Sequence, residues 1–258
     1  MERKFMNIVF FDIDGTLAKG TEIPQSAVNA LHALRMKGSI IFICTGRPYH
    51  YEYRHFYRYA NGFITNNGRY AHMGCCEVMV DEPLSSDLIE EIMQRVAGKA
   101  DIHFLGVDHG YFIGDENHYQ QIQSHYPSGW MLKGRHTDIP VYSLDLSYDD
   151  VSDLQDLQNR LSDLCVLNPH GKHPSCDVSV YGFDKGDGII QVAKALNVPI
   201  ENTYAFGDGV NDICMLKKAG HGIAMGNAHN ETKQAAEYIT SSIDEDGIMN
   251  GLKHYGLI

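Results

Sequence analysis

The apolar run IVFF (8–11) leads without a break into two carboxylates, Asp12 and Asp14, with Gly15 and Thr16 close behind. An uninterrupted apolar run suits a strand buried on both faces, whereas burying unpaired charge is costly. The two demands are reconciled if the strand belongs to an open α/β sheet and ends where such sheets bind ligands. The pattern recurs along the chain. SIIFIC (39–44) stops at Thr45-Gly46-Arg47, GFIT (62–65) at Asn66-Asn67-Gly68, and NTYAFGD (202–208) in an acid. Between the first two strands Pro24 opens a helix with an apolar stripe of Val28, Leu31 and Leu34, which Gly38 stops. Strands alternating with helices imply right-handed crossovers and a parallel sheet.

The alternation holds over residues 1–80, lapses, and returns over 182–258, where GIIQVAKAL and DICMLKKAG read as helices and HGIAMG and AEYITSS as short strands. In between, residues 81–181 have a different character. LSSDLIEEIMQRV places Leu88, Ile92 and Val96 on one helical face, and IHFLGV and YFIG form a strand pair around Asp108-His109-Gly110. VYSLDLS and CDVSVYG read as strands flanking a helical DDVSDLQDLQNRL. Neighbouring strands of this kind suggest an antiparallel sheet with helices on one face, inserted as a separate α+β domain into an α/β, parallel-sheet core.

Chain-wide properties narrow the function. A net charge of −12 argues against non-specific binding to nucleic acid or an anionic membrane, although a local cation can invert the sign of a site. No apolar segment approaches the roughly 20 residues needed to span a bilayer, and the amino-terminal run is too short for a signal peptide. The six cysteines show neither a C-x-x-C pair nor zinc-ligand spacing, which fits free thiols in a reduced cytoplasm. A cytoplasmic protein with no membrane, nucleic-acid or obligate protein partner is the expectation.

Asp12 and Asp14 are two residues apart, so in an extended segment both lean to one face. Their repulsion calls for a divalent cation, and a hard oxygen site with several waters suits Mg²⁺. Alone, D-x-D-G is equally an Asx turn or helix cap. The other strand ends add what a phosphoryl group needs. Thr45 and Gly46 offer a hydroxyl and a backbone N–H, Lys185 in FDKGDG a point positive charge, and GDGVND (207–212) the acids Asp208 and Asp212 around Asn211.

The series DIDGTL, TGR, K-G and GDGVND resembles the four motifs of the haloacid dehalogenase superfamily of phosphohydrolases. The stretches GDGVNDICMLKKAGHGIAMGNA and DEDGIMNGL resemble its Cof-like group with a type IIB cap. The resemblance runs from residue 8 to about 252, with the insert matching in position and style. It implies a Rossmann-like core (1–80 and 182–258) with an inserted cap (81–181), and an Mg²⁺-dependent phosphatase acting on a small phosphorylated metabolite such as a sugar phosphate. By the resemblance Asp12 is the nucleophile that becomes an aspartyl-phosphate, and Asp14 is the general acid and then base. Mg²⁺ is held by Asp12, the backbone carbonyl of Asp14 and Asp208. Thr45, Gly46, Lys185, Asn211 and the backbone of Ile13 bind phosphate, with Asp212 in support. One departure is Gly209, where a small polar side chain is expected.

Phosphomannomutases share the cap class and D-x-D-G-T, which makes a phosphomutase the nearest alternative; GDGVND and AMGNA favour the hydrolases. A non-catalytic binding protein on the same scaffold is disfavoured by the presence of Asp12, Asp14, Lys185 and Asp208 together, and dehalogenase chemistry by acids it does not need. Three features invite other readings. RPYHYEYRHFYRYA (47–60) interleaves basic and aromatic residues, yet Tyr49, Tyr53, Phe56 and Ala60 fall on one face of an amphipathic helix, with Arg54 and Arg58 off it. His170 and His173 in NPHGKHP (168–174) lie in a loop rather than a zinc site. Asp244-Glu245-Asp246-Gly247 is a turn opening the last helix. Tyr111, Trp130, His136 and the 168–174 loop could read a leaving group but form no decipherable pattern.

Overall fold

Eight strands make the first sheet: β1 (Ile8–Phe11), β2 (Ile40–Cys44), β3 (Gly62–Thr65), β4 (Tyr70–Met73), β5 (Glu77–Asp81), β12 (Thr203–Gly207), β13 (His221–Ala224) and β14 (Tyr238–Ile239). Their order is β14-β13-β12-β1-β2-β3-β4-β5. The strands from β14 to β3 run parallel, and β4 and β5 extend the edge antiparallel. β1 is central, with Phe11 in register with Ile43 on one side and Phe206 on the other. Every residue of β1 and β2 is buried, as expected of strands covered on both faces. Phe11 stacks on Phe206 with ring centroids 5.0 Å apart, and Phe10 leans on Phe42 at 5.7 Å. Each such buried ring contributes on the order of 1.5–3 kcal/mol.

This computed structural model describes residues 6–49, 55–74, 77–124, 126–150, 152–171 and 173–258. They divide into two compact units. One takes in the segments ending at Arg47 and at Asp81 together with Phe183–Ile258, and the other is built on Glu82–Gly182. The first unit carries α1 (Gln25–Met36), α5 (Lys185–Ala195), α6 (Ile213–Lys218), α7 (Asn230–Ala235) and α8 (Gly247–His254). Pro24 is the N-cap of α1, which buries Ala27, Ala30, Leu31 and Leu34; Val28 is only half-buried. Asp246, in the left-handed region, leads into α8.

The second unit holds β6 (Asp101–Leu105), β7 (Gly110–Ile113), β8 (Met131–Lys133), β9 (Ser143–Ser147), β10 (Cys165–Pro169) and β11 (Ser175–Val180), ordered β10-β11-β9-β6-β7-β8. All its pairings are antiparallel except β7 with β8. α2 (Ser86–Val96) and α4 (Asp153–Leu161) bury Ile89, Ile92, Val96, Leu157 and Leu161 against Ile102, Phe104, Leu144 and Leu146. α3 (Glu116–Ile122) differs from the one-sided arrangement expected: Ile122 packs with Leu105, Phe112, Trp130 and Met131, and Leu105 and Phe112 alternate to the face of their strands opposite Phe104 and Tyr111.

Of the helix expected over 47–60, residues 50–54, including Tyr53 and Arg54, lie outside the described residues, while Phe56 is fully buried. Asn168 and Pro169, read as loop, close β10 instead. Pro169 is tolerated because β10 is an edge strand. Among the described residues, no helix is long and apolar enough to cross a membrane.

Candidate active site

The parallel strands β2, β1 and β12 are neighbours, so their carboxyl ends open onto one edge. After β1 the backbone turns at once: the carbonyl of Ile13 accepts from the N–H groups of Thr16, Leu17 and Ala18 at 3.2, 3.0 and 2.8 Å. Gly15 makes this turn possible with φ +84°, and a Cβ there would lie 2.3 Å from Asp208 Oδ2. Thr45 to Arg47 follow β2, and Asp208 to Asp212 follow β12.

Lys185 reaches this edge from the first turn of α5. That turn is fixed by a reciprocal cap: Asp184 accepts from the N–H of Asp187 at 3.0 Å, and Asp187 from that of Asp184 at 3.1 Å. Lys218 on α6 ties both carboxylates together, at 3.0 Å to Asp184 and 2.7 Å to Asp187. The Lys185 ammonium, 1% exposed, donates to Asp12 Oδ1 at 2.7 Å and to Asp212 Oδ1 at 2.6 Å. The other oxygen of Asp212 accepts from the backbone N–H groups of Asp208 and Gly209 at 3.0 and 2.9 Å. Asp212 therefore braces the loop that presents Asp208. Thr16 completes the cluster by donating to Asp208 Oδ1 at 2.8 Å.

Burial, then the charge of Asp212, pushes the Asp12 carboxyl up to about 8 against the pull of Lys185. Burial likewise raises Asp208 to about 6 against the Thr16 hydrogen bond. Lys185 moves the other way from a simple buried amine. Burial favours its neutral form, but Asp12 and Asp212 outweigh that and hold the ammonium well above the usual lysine range. One lysine thus serves a crowd of three acids. Asp12, Asp208 and Asp212 each offer an oxygen within 4.8 Å of the others, the grouping among the described residues that could hold a metal ion. Hard carboxylate donors whose ionisation is uphill fit a hard divalent cation.

Asp12, Lys185, Asp208 and Asp212 are thus brought into direct proximity. Thr45 is buried on the adjacent strand end, donating its N–H to Ile64 at 2.9 Å, and Asn211 is exposed on the turn after β12. A Cβ at Gly209 would lie 2.5 Å from Asn211 Oδ1, so the residue that departs from the family pattern leaves room for Asn211. The Asp14 carboxylate stands apart. It is half-exposed and engaged by Arg47 through two parallel bonds, Nε to Oδ2 and Nη2 to Oδ1, both 2.8 Å. Asn67 sits at φ +53°, its amide against Gly46.

Sequence reasoning missed Thr16, Arg47, Lys218 and Asn227, which donates to the Gly15 carbonyl at 2.8 Å and accepts from Ile243 N–H at 2.9 Å. Thr16 and Arg47 stand inside the DIDGTL and TGR motifs, which was the available signal. Of the candidates offered for reading a leaving group, Trp130 is 4% exposed and Tyr111 packs against the core of the second unit, His136 is half-buried, and His170 and His173 are exposed. His170 is held by Ser175 and Asp177 at 2.9 and 2.7 Å. Cys75 and Cys76 lie outside the described residues; Cys44, Cys165, Cys176 and Cys214 are free thiols.

The sequence model of the haloacid dehalogenase-like hydrolases matches residues 9–252. YkrA of Bacillus subtilis (strain 168) is 30% identical over 263 residues, covering 97% of this chain and 98% of that one. The pyridoxal phosphate phosphatase YbhA of Escherichia coli (strain K12) is 27% identical over 93% of this chain and 95% of its own. Among solved structures, the HAD subclass IIB sugar phosphatase BT4131 is similar with a TM-score of 0.81 and 29% identity, over 98% of this chain and 100% of that one.

Proposed function

This chain belongs to the haloacid dehalogenase-like hydrolases and is a phosphoric monoester hydrolase, and on that premise we propose that it removes phosphate from a small sugar phosphate with the help of Mg²⁺. The observation that carries the reading is Asp12: a buried carboxylate at the end of the central strand, held by Lys185 and flanked by Asp208. Under it, Lys185 fixes the rotation of the Asp12 carboxylate by gripping Oδ1. Asp12 attacks phosphorus, the bond from phosphorus to the substrate oxygen breaks, and Asp14 gives that oxygen a proton. Asp14 then takes a proton from the water that attacks the aspartyl-phosphate, which regenerates Asp12 and releases inorganic phosphate. Thr45, Gly46, Asn211, Lys185 and the backbone of Ile13 hold the phosphoryl oxygens. The carboxylates of Asp12 and Asp208 and the backbone carbonyl of Asp14 would hold Mg²⁺, which when bound neutralises charge spreading over those oxygens. Residues 81–181 would serve as a cap that excludes bulk water and selects the leaving group.

A panel of sugar phosphates, nucleotides, pyridoxal phosphate and flavin mononucleotide, assayed with and without Mg²⁺, tests this. Phosphate release from sugar phosphates should be fastest, require the ion and need no bisphosphate activator. Faster turnover of pyridoxal phosphate than of every sugar phosphate would overturn the substrate class. Undiminished release in excess chelator would overturn the ion.

The raised carboxyls add a second expectation. Between the unfolded aspartate value, near 4, and the folded values of about 6 and 8 for Asp208 and Asp12, the folded protein keeps protons that the unfolded chain has lost. The metal-free protein therefore loses stability as pH rises through that window. A bound cation favours the ionised acids, so its binding should release protons and tighten with pH. Thermal melts should show a larger Mg²⁺-induced rise at pH 8 than at pH 5. An equal rise at both would contradict the assignment.

A further inference from the structure

The proton donor proposed above has its carboxylate engaged outside the Asp12 cluster, and its partner is a residue with no role so far. The Arg47 guanidinium meets both oxygens of Asp14 in a planar, doubly hydrogen-bonded pair, Nε to Oδ2 and Nη2 to Oδ1, each at 2.8 Å. The two side chains are 34% and 50% exposed. A half-exposed pair adds little to fold stability, so stability is a poor account of it. What the fork does provide is direction: two parallel bonds fix the plane and rotation of the carboxylate, which a single contact cannot.

The backbone that delivers Arg47 is itself held on several sides. Its N–H donates to Thr45 Oγ1 at 3.2 Å, and its carbonyl accepts from the N–H of Asn66 at 3.0 Å. The N–H of Asn67 donates to the Thr45 carbonyl at 3.2 Å. Asn66 and Asn67 both take φ +53°, a conformation costly for most residues and best tolerated by asparagine. Two consecutive left-handed residues clamped onto Thr45–Arg47 make a rigid mount, of the kind that holds functional groups in productive geometry. Asp14, by contrast, lies immediately before Gly15 within the turn after β1, its half-exposed carboxylate held by the Arg47 fork.

We propose that Arg47 is the positioning residue for Asp14, orienting its carboxylate for the proton transfers to the leaving oxygen and from water. This rests on the reading of Asp14 as proton donor and base. Arg47 acts through Asp14 and does not itself touch the reacting atoms. Its loss should therefore slow both proton transfers, only while Asp14 is present, and should spare release of a leaving group that needs no proton.

The test is a double-mutant cycle of Arg47→Gln and Asp14→Asn on the full chain with Mg²⁺. Each protein is assayed on an alkyl phosphate, glucose 6-phosphate, and on p-nitrophenyl phosphate, whose phenolate leaves without a proton. Arg47→Gln should lower kcat about 10- to 100-fold on the alkyl ester, part of the 10²–10⁴ that acid–base assistance supplies. On the aryl ester the first release of p-nitrophenolate, before the aspartyl-phosphate is hydrolysed, should stay within about threefold of the parent, while the water step that follows is slowed for both esters. In the Asp14→Asn background the same substitution should cost less than about twofold. Arg47→Lys, which keeps the charge but not the fork, should recover only part of the loss and guards against misfolding of the neutral variant.

A first release of p-nitrophenolate slowed as much as turnover of the alkyl ester, equal losses in both backgrounds, or an effect confined to KM would overturn the proposal in favour of a substrate-anion contact. Full restoration by lysine would show that charge rather than orientation matters, and would overturn it too. An Asp14→Asn enzyme with undiminished activity on glucose 6-phosphate would instead sink the role of Asp14 itself, a failure distinct from that of Arg47.

Discussion

Asp12→Asn should abolish turnover, by at least about 10⁴-fold, and leave the protein folded. The amide has the shape of the carboxylate but lacks the nucleophilic oxygen from which the acyl-phosphate must form, and no neighbouring group replaces a missing covalent nucleophile. The fold should tolerate the change because ionised Asp12 is uncomfortable where it stands. Burial and Asp212 hold its carboxyl at about 8, so a neutral side chain removes repulsion as well as attraction. Lys185 keeps its 2.6 Å contact with Asp212. Unfolding free energy in the absence of metal should stay within about 1 kcal/mol of the parent. Steady-state phosphate release and denaturant melts of the same preparation check both halves. Intact-mass analysis after acid quench should find a phosphoryl adduct on the parent and none on the variant. A variant that turns over normally would remove Asp12 from the chemistry, and with it the whole mechanism.

The features behind that expectation were legible in the sequence for a physical reason. A strand buried on both faces must be apolar throughout, so a carboxylate at its end stands out. IVFF and NTYAFGD carry that contrast, SIIFIC ends in the polar Thr45-Gly46-Arg47, and the three became the adjacent strands β1, β12 and β2. The pairing of acids with a lysine 173 residues away was legible only through motif order, because no local pattern reports which strand ends meet.

What stayed hidden falls into two kinds. β5, EVMVD, offers only three apolar residues between acids and buries only Val80, a shorter run than those by which the inner strands were found. Pro169 masked the end of β10, since proline reads as loop unless the strand lies at an edge. The other kind concerns side-chain destination. Asp14 and Arg47 are both polar residues on turns, and each was compatible with facing a ligand. That they face each other depends on how the ends of two strands sit side by side, and on the two left-handed asparagines that hold the second turn. Residue type narrowed the chemistry of this edge, but the division of labour within it is tertiary.

Lys185→Met should be the most damaging single substitution to stability and should also end activity. The ammonium is the only cation hydrogen-bonded to Asp12 and Asp212 among the described residues, at 2.7 and 2.6 Å and essentially without solvent. Methionine fills a similar volume but leaves both carboxylates buried without a counter-charge, a loss of about 3–5 kcal/mol when one partner of a buried pair is removed. The sign of its pH dependence follows from which groups titrate. Lys185 itself is held above the usual lysine range, so in the parent its contribution is constant across neutral pH and is lost only in strong alkali. In the variant Asp12, already raised by burial and by Asp212, keeps its proton to still higher pH, whereas the unfolded chain surrenders it at about pH 4. The destabilisation should therefore be smaller at pH 5 than at pH 8, widening as the unfolded state gains its advantage. Mg²⁺ should restore part of the stability, because a cation among Asp12 and Asp208 offsets some of the same charge. It should not restore turnover, since the contact that orients Asp12 and meets the phosphoryl oxygens is gone. Urea unfolding at the two pH values, with and without the ion, separates these effects. A loss below about 1 kcal/mol that is equal at both pH values would mean that the buried acids do not depend on Lys185 for their counter-charge, and the electrostatic account of the site would have to be abandoned.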